Sequence, residues 1–550
     1  MVEPGNVSTS VSPDVEKWVL FSTILGSSMA FIDTSALNVT LPALQRDLQA
    51  SGTQLLWIVN AYLLMLAALI LVGGSLGDKL GRKKVFMIGI GLFILASLAC
   101  GFAPTTEFLI GARVAQGIGG AMMIPGSLAI ITASFDVNRR GKAIGTWSAA
   151  TTMVTIAGPV LGGILADAGL WRGVFLLNLP LGLITLLILY FKVPESRDEE
   201  SGQIDYPGAV LATFGLVGLT YGFISLPNFG FSDPRIYGTL SGGIIALVAC
   251  AIVEARSNHP MMPLHLFKSR TFSGTNLLTL FLYGALSVST FFLSLNLVQA
   301  QGYSQSIAGF ADTPFALLLT GLSRWAGGLA ERYGPRRLLI VGPLLIGLGF
   351  LLMAFVGLTD GPSDYWTTFF PGIIMLGIGM GVTVAPLTIG VMGSVATHYA
   401  GTASGINNAV SRLAGVLAIA IVGSLALFVF AGAVDVRTAD IALSHEARLA
   451  LQSEANKLGQ APFIAEVAPE NIYAVETAIK LAFVDAFQVV MIICAGLAWL
   501  SSLVAALLLE SRGSVSIAPE PVERLANLGE SWTAPYDPEP ITAEGVAERN

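Results

Sequence analysis

The chain has 550 residues, of which 54% are hydrophobic and only 12% are charged. Soluble proteins carry roughly 25% charged residues, and half that share could not cover a soluble chain of this length. The composition therefore excludes an ordinary soluble protein and predicts one that lies in a lipid bilayer. The net charge of −7 argues against a nucleic-acid partner.

Long apolar runs along the chain predict transmembrane helices. A helix that crosses about 30 Å of hydrocarbon needs roughly 20 apolar residues. The sequence thus predicts an all-α integral membrane protein with about 14 spans. These spans are predicted at 18–39, 56–76, 85–103, 108–131, 143–166, 173–193, 208–226, 236–255, 272–299, 308–330, 337–358, 367–392, 403–432 and 480–509.

Basic residues cluster in alternate loops between these spans. Lysine and arginine favour the cytoplasmic side of a membrane, and this bias sets the orientation. With a cytoplasmic N-terminus the inner loops hold most of the basic residues, so both termini are predicted to be cytoplasmic. The inner loops hold Lys79, Arg82, Lys83, Lys84, Arg139, Arg140, Lys142, Arg256, Lys268, Arg270, Arg332, Arg336 and Arg337, and the short outer loops hold Arg46, Arg172 and Arg235.

The first span carries a carboxyl group at membrane depth, Asp33, within residues 30–42. Removal from water favours the neutral form of such a carboxyl, which could therefore bind and release a proton at physiological pH. The alternative is a structural hydrogen bond to a neighbouring span. Asn38 in the same segment is a candidate residue of a substrate cavity.

The loop after the second span is repeated later in the chain. Residues 74–84 and 327–337 share an acid, two glycines and a basic end without gaps. Such duplication predicts two similar halves around a central cavity, as in many secondary transporters. The acid could pair with a cation or a helix N-terminus in one conformation and release it in another, and the alternative is a loop that only fixes topology. The candidate switch residues are Gly74, Asp78, Gly81, Arg82, Glu331, Gly334 and Arg336.

The fourth span carries Arg113 within residues 109–117. A guanidinium inside a membrane is costly unless it is paired or hydrated, so Arg113 is predicted to face a cavity or a carboxylate. The alternatives are an interhelical structural pair or a side chain that reaches the membrane interface.

The fifth span contains small residues and a proline that shape its packing. Proline removes a backbone donor and kinks the helix, and glycines let a neighbouring helix approach closely. The residues are Gly145, Gly158, Pro159, Gly162 and Gly163.

The tenth span begins near Asp312, which precedes a Thr-Pro pair. Asp312 could be a second proton or cation site, or it could cap the helix N-terminus.

On the ninth span, aromatic residues are candidates for the substrate cavity, and lipid-facing positions are the alternative. These aromatic residues are Phe281, Tyr283, Phe291 and Phe292.

Together these motifs resemble the major facilitator superfamily, and within it the fourteen-span drug:proton antiporter family, over roughly residues 15–510. The matching patterns are G-x-L-x-D-x-x-G-R from Gly74, L-x-x-x-R-x-x-Q-G from Leu109, the antiporter motif of the fifth span, and D-x-T-x-x-N-x-x-L-P from Asp33. Two positions depart from the family patterns. Ser35 replaces a threonine, and Val154 stands where the antiporter motif has its middle glycine.

The resemblance implies the major facilitator fold, with two six-helix bundles and two extra linking helices. The implied domains are a cytoplasmic N-terminal tail (1–16), an N-terminal bundle (17–195), two additional helices with linkers (196–271), a C-terminal bundle (272–510) and a disordered cytoplasmic tail (511–550). The last bundle includes a long outer loop (433–479), in which the composition of residues 440–457 predicts surface helix.

The resemblance also implies a proton-coupled exporter of hydrophobic or cationic small molecules that works by alternating access. Asp33 would take a proton from outside and displace cargo, Arg113 would tune that exchange, and Asp78 with Glu331 would latch the inner side. The alternatives are uptake, transport of one specific endogenous metabolite or lipid, and a non-transporting membrane receptor on the same fold.

Several chemistries have no matching motif. The chain has no nucleotide-binding loop and no visible catalytic set, so we expect neither an enzyme nor an ATP-driven pump. We expect no metal and no cofactor other than the coupling proton. The protein is expected to be a monomer in the inner cell membrane.

Overall fold

The computed structural model describes residues 13–197, 205–257, 260, 262–396, 399–448, 451 and 467–510. These ranges form helices and their connections, and no β-strand occurs among them. The predicted tail 511–550 lies outside the described residues, as do residues 1–12 of the predicted N-terminal tail. The first helix begins at Pro13, within the range predicted as that tail.

The N-terminal half of the molecule consists of α1 to α7. Local sequence chemistry starts these helices: Ser51 and Gln54 form a reciprocal capping box at α2, and the Thr105 hydroxyl accepts from the Phe108 amide at α4. The helices are α1 (Pro13–Leu48), α2 (Gly52–Leu80), α3 (Arg82–Gly101), α4 (Thr106–Ser134), α5 (Val137–Asp167), α6 (Gly173–Leu176) and α7 (Asn178–Lys192).

Two helices follow, α8 (Tyr206–Phe229) and α9 (Pro234–Arg256), and the C-terminal half consists of α10 to α16. A π-helical turn, Asn296–Ala300, extends α10. The helices of this half are α10 (Arg270–Leu295), α11 (Gln305–Ala311), α12 (Thr313–Tyr333), α13 (Arg336–Ala354), α14 (Phe369–Gly393), α15 (Ala400–Arg437) and α16 (Ile472–Leu508).

The described residues contain fourteen helical segments long and apolar enough to cross a membrane, which confirms the predicted all-α membrane fold. Several helices run past the predicted ends, because a helix can continue with polar residues once it has left the hydrocarbon. In particular, α15 extends to Arg437 and α16 starts at Ile472, which shortens the predicted outer loop 433–479 at both sides. Residues 445–448 of that loop are helical, and 449–450 and 452–466 lie outside the described residues.

The helices pack in the two groups that the internal repeat predicts. In the N-terminal half α1 packs on α4, α5 and α7, and α4 packs on α2 and α3. In the C-terminal half α14 packs on α12 and α13, and α16 packs on α10, α13 and α15. Helices α8 and α9 pack on each other, and α8 also touches α2 and α15. They therefore lie beside the two groups as an added pair.

Glycine pairs show the repeat at atomic detail. A Cβ at Gly89 or Gly119 would lie 2.9 Å from the other's carbonyl oxygen, between α3 and α4. Gly349 and Gly372 are related in the same way between α13 and α14, at 2.7 and 2.8 Å. Membrane helices associate by such close backbone approach, because lipid supplies no hydrophobic force between helices.

Candidate functional site

A buried ion pair lies inside the N-terminal half. The Arg113 guanidinium of α4 donates to the Asp33 carboxylate of α1, and both side chains are almost completely buried. The Arg113 Nε also donates to the Ile58 carbonyl of α2 at 3.2 Å. The pair thus joins three helices of one half. Arg113 faces a carboxylate, as predicted, and the contact is equally the interhelical pair that the sequence left open as an alternative.

Gln116 completes this pair into a network. Its side-chain oxygen accepts from Arg113 at 2.7 Å, and its Nε2 donates to the second Asp33 oxygen at 2.7 Å and to the Ser97 hydroxyl at 2.8 Å. Gln116 was not predicted as a site residue. The signal was present, because a position three residues after Arg113 lies on the same helix face.

Aromatic rings surround the guanidinium of Arg113. Its Cζ lies 4.4 Å from the centre of the Tyr62 ring and 5.9 Å from that of Phe175. Such rings attract a cation through their negative faces. The arrangement holds one charge of each sign out of water, and removal of either would leave the other buried and unpaired.

A central cavity of about 210 Å³ lies between the two halves. Asp33 is not among its lining residues, but Ser35, two residues further along α1, is. The wall combines hydroxyl groups with apolar side chains, and Asp312 is the one charged residue among the described lining residues. The remaining lining residues are Thr152, Thr155, Ile156, Pro159, Leu286, Ser289, Thr290, Leu293, Gly309, Phe315, Ala316, Leu319, Ile373 and Leu376.

Asp312 lies between α11 and α12. Helix α12 begins at Thr313, and the Asp312 side chain makes no capping hydrogen bond to its first turn. The sequence left two interpretations of Asp312 open, a proton or cation site and a helix cap. The observed geometry does not support the helix cap. Nor does any described lysine or arginine lie within ion-pair distance of Asp312.

The predicted cavity residues lie elsewhere, and none of the five lines the central cavity in the described structure. Phe291 and Phe292 are fully buried and stack on each other at 5.0 Å, while Phe281 packs against the core. Tyr283 lines a second, more polar pocket of about 110 Å³ between α10, α14 and α15. Asn38 touches the other half through its carbonyl, which accepts from Ser294 at 3.0 Å.

The first copy of the repeated loop forms a tight turn between α2 and α3. Gly81 adopts a φ of 112°, which glycine tolerates far better than other residues. Asp78 accepts from Arg82 at 2.8 Å. Glu195, which was not predicted, accepts from the amides of Lys83 and Lys84 at 2.9 and 3.0 Å. A carboxylate thus lies at the N-terminus of α3, where the helix dipole favours negative charge.

The second copy repeats the turn but not these contacts. Gly334, with a φ of 84°, ends α12. Arg336 donates to the Ala506 carbonyl of α16 at 2.7 Å. Glu331 is exposed and has no ion pair within the described chain.

The glycines of α5 divide into two kinds. A Cβ on Gly158 or Gly162 would meet Ser35 or Ala36 of α1, and one on Gly163 would meet the backbone of residues 305–306 of α11. The carbonyl of Pro159 in turn blocks any Cβ on Gly309. Gly145, by contrast, has open space around it.

The two halves also touch through polar contacts where α1 and α5 end, which we call the predicted outer end. The Asp167 carboxylate of α5 accepts from the amides of Gln305 and Ser306, both at 2.9 Å, and from the Ser306 hydroxyl. Gln299 donates to Gln45 at 2.8 Å. Asp167 was not predicted, and its contact lies 138 residues away along the chain.

Two helical halves around a cavity, with a buried charge network in one of them, define a membrane transporter. The sequence matches the Major Facilitator Superfamily over residues 23–419, and the chain belongs to this superfamily.

Similar proteins include named resistance and export proteins of bacteria. The multidrug resistance protein Stp of Mycobacterium tuberculosis is 33% identical over 74% of this chain and 75% of its own length. The methylenomycin A resistance protein of Streptomyces coelicolor is 30% identical over 77% of this chain and 89% of its own. The cephamycin export protein CmcT of Amycolatopsis lactamdurans is 35% identical over 72% and 81%.

The fold also resembles solved transporter structures. An inward-facing bacterial homologue of the human lysosomal transporter Spinster gives a TM-score of 0.62 at 18% identity, covering 91% of this chain and all of its own. The POT family transporter PepTSo gives a TM-score of 0.61 at 14% identity, covering 90% of this chain and 98% of its own. At such low identity these similarities describe the fold alone.

Proposed function

We propose that this protein exports hydrophobic or cationic small molecules in exchange for protons, by alternating access. Relatives named for multidrug resistance, methylenomycin A resistance and cephamycin export support this proposal. The cavity between the halves, with its mixed hydroxyl and apolar wall, is a place where such cargo could bind.

The observation that carries the proposal is the buried Asp33–Arg113 pair on a helix that also walls the cavity. A proton on Asp33 would leave Arg113 buried without its counter-ion, which is strongly unfavourable. The contact between α1 and α4 would then repack. Because Ser35 lines the cavity on the same helix, that repacking would change the cargo site.

Alternation of access requires contacts that open in turn at the two ends. At the predicted outer end, Asp167 and the α5–α11 contact would separate to release cargo. At the opposite end, Asp78 with Arg82 in one loop and Glu331 with Arg336 in the other would close together. This sequence of events places cargo release and proton entry on the same side.

We also infer the setting of the protein from its basic loops and its relatives. Both termini lie in the cytoplasm and the chain spans the inner cell membrane, acting as a monomer. Protons are the only coupling ion, and no bound cofactor takes part.

Proteoliposomes test this function. The lumen is made acidic and loaded with a pH-sensitive dye, lipophilic cations or neutral drugs are added, and collapse of the gradient is recorded. We expect cargo-dependent proton movement with the unaltered protein and none with Asp33→Asn. Asp440→Asn is the matched control, because Asp440 is exposed between α15 and α16. Cargo movement without proton flux in the unaltered protein would contradict the proposal.

A further inference from the structure

Asp312 is an acidic residue without an ion-pair partner in the part of the chain that the structure describes. It lies on the wall of the central cavity, and its side chain neither caps α12 nor forms an ion pair with a described residue. A carboxylate removed from bulk water is costly unless another group compensates its charge. The compensating charge, a proton or a bound cation, must therefore come from outside the described chain.

The neighbouring titratable groups do not supply a positive charge. The cavity-lining segments of α5, α10 and α14 contain no charged residue. Arg324 follows twelve residues later on α12, a helical rise of about 18 Å. Arg113 is engaged by Asp33.

Tyr365, in the connection before α14, is a titratable neighbour of Asp312. Its hydroxyl donates to the Ala311 carbonyl at 2.8 Å. Burial, and then the Asp312 charge, raise the pKa of Tyr365, so the phenol stays neutral and cannot compensate the carboxylate.

The rest of the cavity wall indicates which other groups a positively charged ligand could carry. Ser289, Thr290 and Thr155 offer hydroxyl groups, while Leu293 and Phe315 contribute apolar surface. A ligand that satisfies all of these is an amphiphile with one cationic group and an apolar body. The hydroxyl oxygens can accept hydrogen bonds from several directions, so the cavity suits several related molecules better than a single one.

We propose that Asp312 is the cation-binding residue of the cargo cavity, and that the exported cargo is an apolar molecule with one positive charge held against this carboxylate. This assignment rests on the proposed export function. It gives the two carboxylates separate tasks, because Asp33 has an ion-pair partner within the chain and Asp312 has none among the described residues.

A matched pair of probes tests the assignment. Tetraphenylphosphonium carries one positive charge, and triphenylphosphine oxide is a neutral molecule of similar shape. Equilibrium binding of each to the purified protein in detergent is measured for the unaltered chain, Asp312→Asn, Asp312→Glu and the exposed control Asp440→Asn. We expect Asp312→Asn to weaken binding of the cation at least tenfold and of the neutral probe less than twofold, and Asp312→Glu to retain cation binding.

The possible results separate the two proposals. Equal loss of both probes in Asp312→Asn, or unchanged cation binding, would overturn the assignment of Asp312. Proton-driven transport of both probes is then measured in proteoliposomes. If the unaltered protein binds the cation through Asp312 but transports neither probe, the export function is wrong, and only cation binding by Asp312 remains supported.

Discussion

The two halves of this transporter hold their membrane-embedded carboxylates in opposite surroundings. Asp33 in the N-terminal half is fully buried, paired with Arg113 and hydrogen-bonded to Gln116. Asp312 in the C-terminal half lies on the cavity wall without an ion pair in the described structure. A sealed carboxylate can affect cargo only through the packing of its helix, whereas an open one can contact cargo directly. The same residue type thus supports two kinds of function.

The largest expected effect concerns the stability of the sealed pair. Arg113→Met leaves the Asp33 carboxylate buried without its cation, and breaking a buried pair in this way costs roughly 3–5 kcal/mol. Asp312→Asn removes no ion pair and should leave stability almost unchanged. Thermal unfolding in detergent measures both, and equal unfolding temperatures for the two variants would contradict the comparison.

The double variant Asp33→Asn with Arg113→Met sharpens this test. It removes both charges, so much of the lost stability should return, because the penalty comes from the unpaired charge rather than from the lost contact. A double variant as unstable as Arg113→Met alone would show that the packing of the Arg113 side chain matters more than its charge.

The next effect concerns where the halves touch. A valine at Gly163 would collide with the backbone of residues 305–306, whereas Gly145 has open space. Overpacking costs about 1–3 kcal/mol, so Gly163→Val should disfavour the conformation closed at the predicted outer end by at least about fivefold. Proton-linked export should fall accordingly, while Gly145→Val serves as the matched control. Equal export by both variants would mean that the α5–α11 contact does not form during transport.

A smaller effect is expected from the polar contact at the same end. Asp167→Ala removes the hydrogen bonds that join α5 to Gln305 and Ser306, whereas Asp47→Ala removes contacts with Trp171 and Arg172 inside one half. Hydrogen bonds to a charged group support an exposed contact modestly, so opening at this end should rise about fivefold. We expect only Asp167→Ala, which removes a contact between the halves, to increase opening at this end, and Asp47→Ala to leave it unchanged.

Labelling of a cavity cysteine measures this opening. Ser289→Cys places a thiol on the cavity wall, and Cys250→Ser removes the half-buried native thiol, since Cys100 and Cys494 are buried. A charged maleimide is added from the outer side of intact vesicles. Faster labelling with Asp167→Ala but not with Asp47→Ala is the expected result, and equal rates would exclude Asp167 as a closing contact.

The sequence predicts the spans well and the cavity poorly, for one physical reason. Hydrophobic length alone identifies a helix in lipid, so all fourteen spans were predicted. It does not identify which face of the helix meets lipid, core or cavity, since all three can be apolar. Phe291 and Phe292 were therefore predicted as cavity residues although they belong to the core, while Ser289 and Thr290 on the same helix were missed.

Partners of polar residues were predictable when they were side chains and unpredictable when they were backbone groups. The pattern around Arg113 predicted a buried cation that needs a carboxylate, and the structure pairs it with Asp33. Asp167 and Glu195 were missed because each binds backbone amides more than a hundred residues away. Backbone amides carry no side-chain signature, so no sequence pattern indicates such a contact.

The smallest expected effect comes from removing a carboxylate charge in or near each copy of the repeated loop. Glu195 accepts from two amides at the start of α3, whereas Glu331 of the second copy is exposed and unpaired among the described residues. A carboxylate at a helix N-terminus contributes about 0.3–1 kcal/mol, so Glu195→Gln should change the initial rate of export by about twofold to fivefold, and Glu331→Gln by less. Measurement at low and high salt distinguishes the causes, because salt screens the helix dipole and should reduce the effect of Glu195→Gln. If Glu331→Gln has the larger effect, the second copy carries the switch and Glu331 finds its partner only in another conformation.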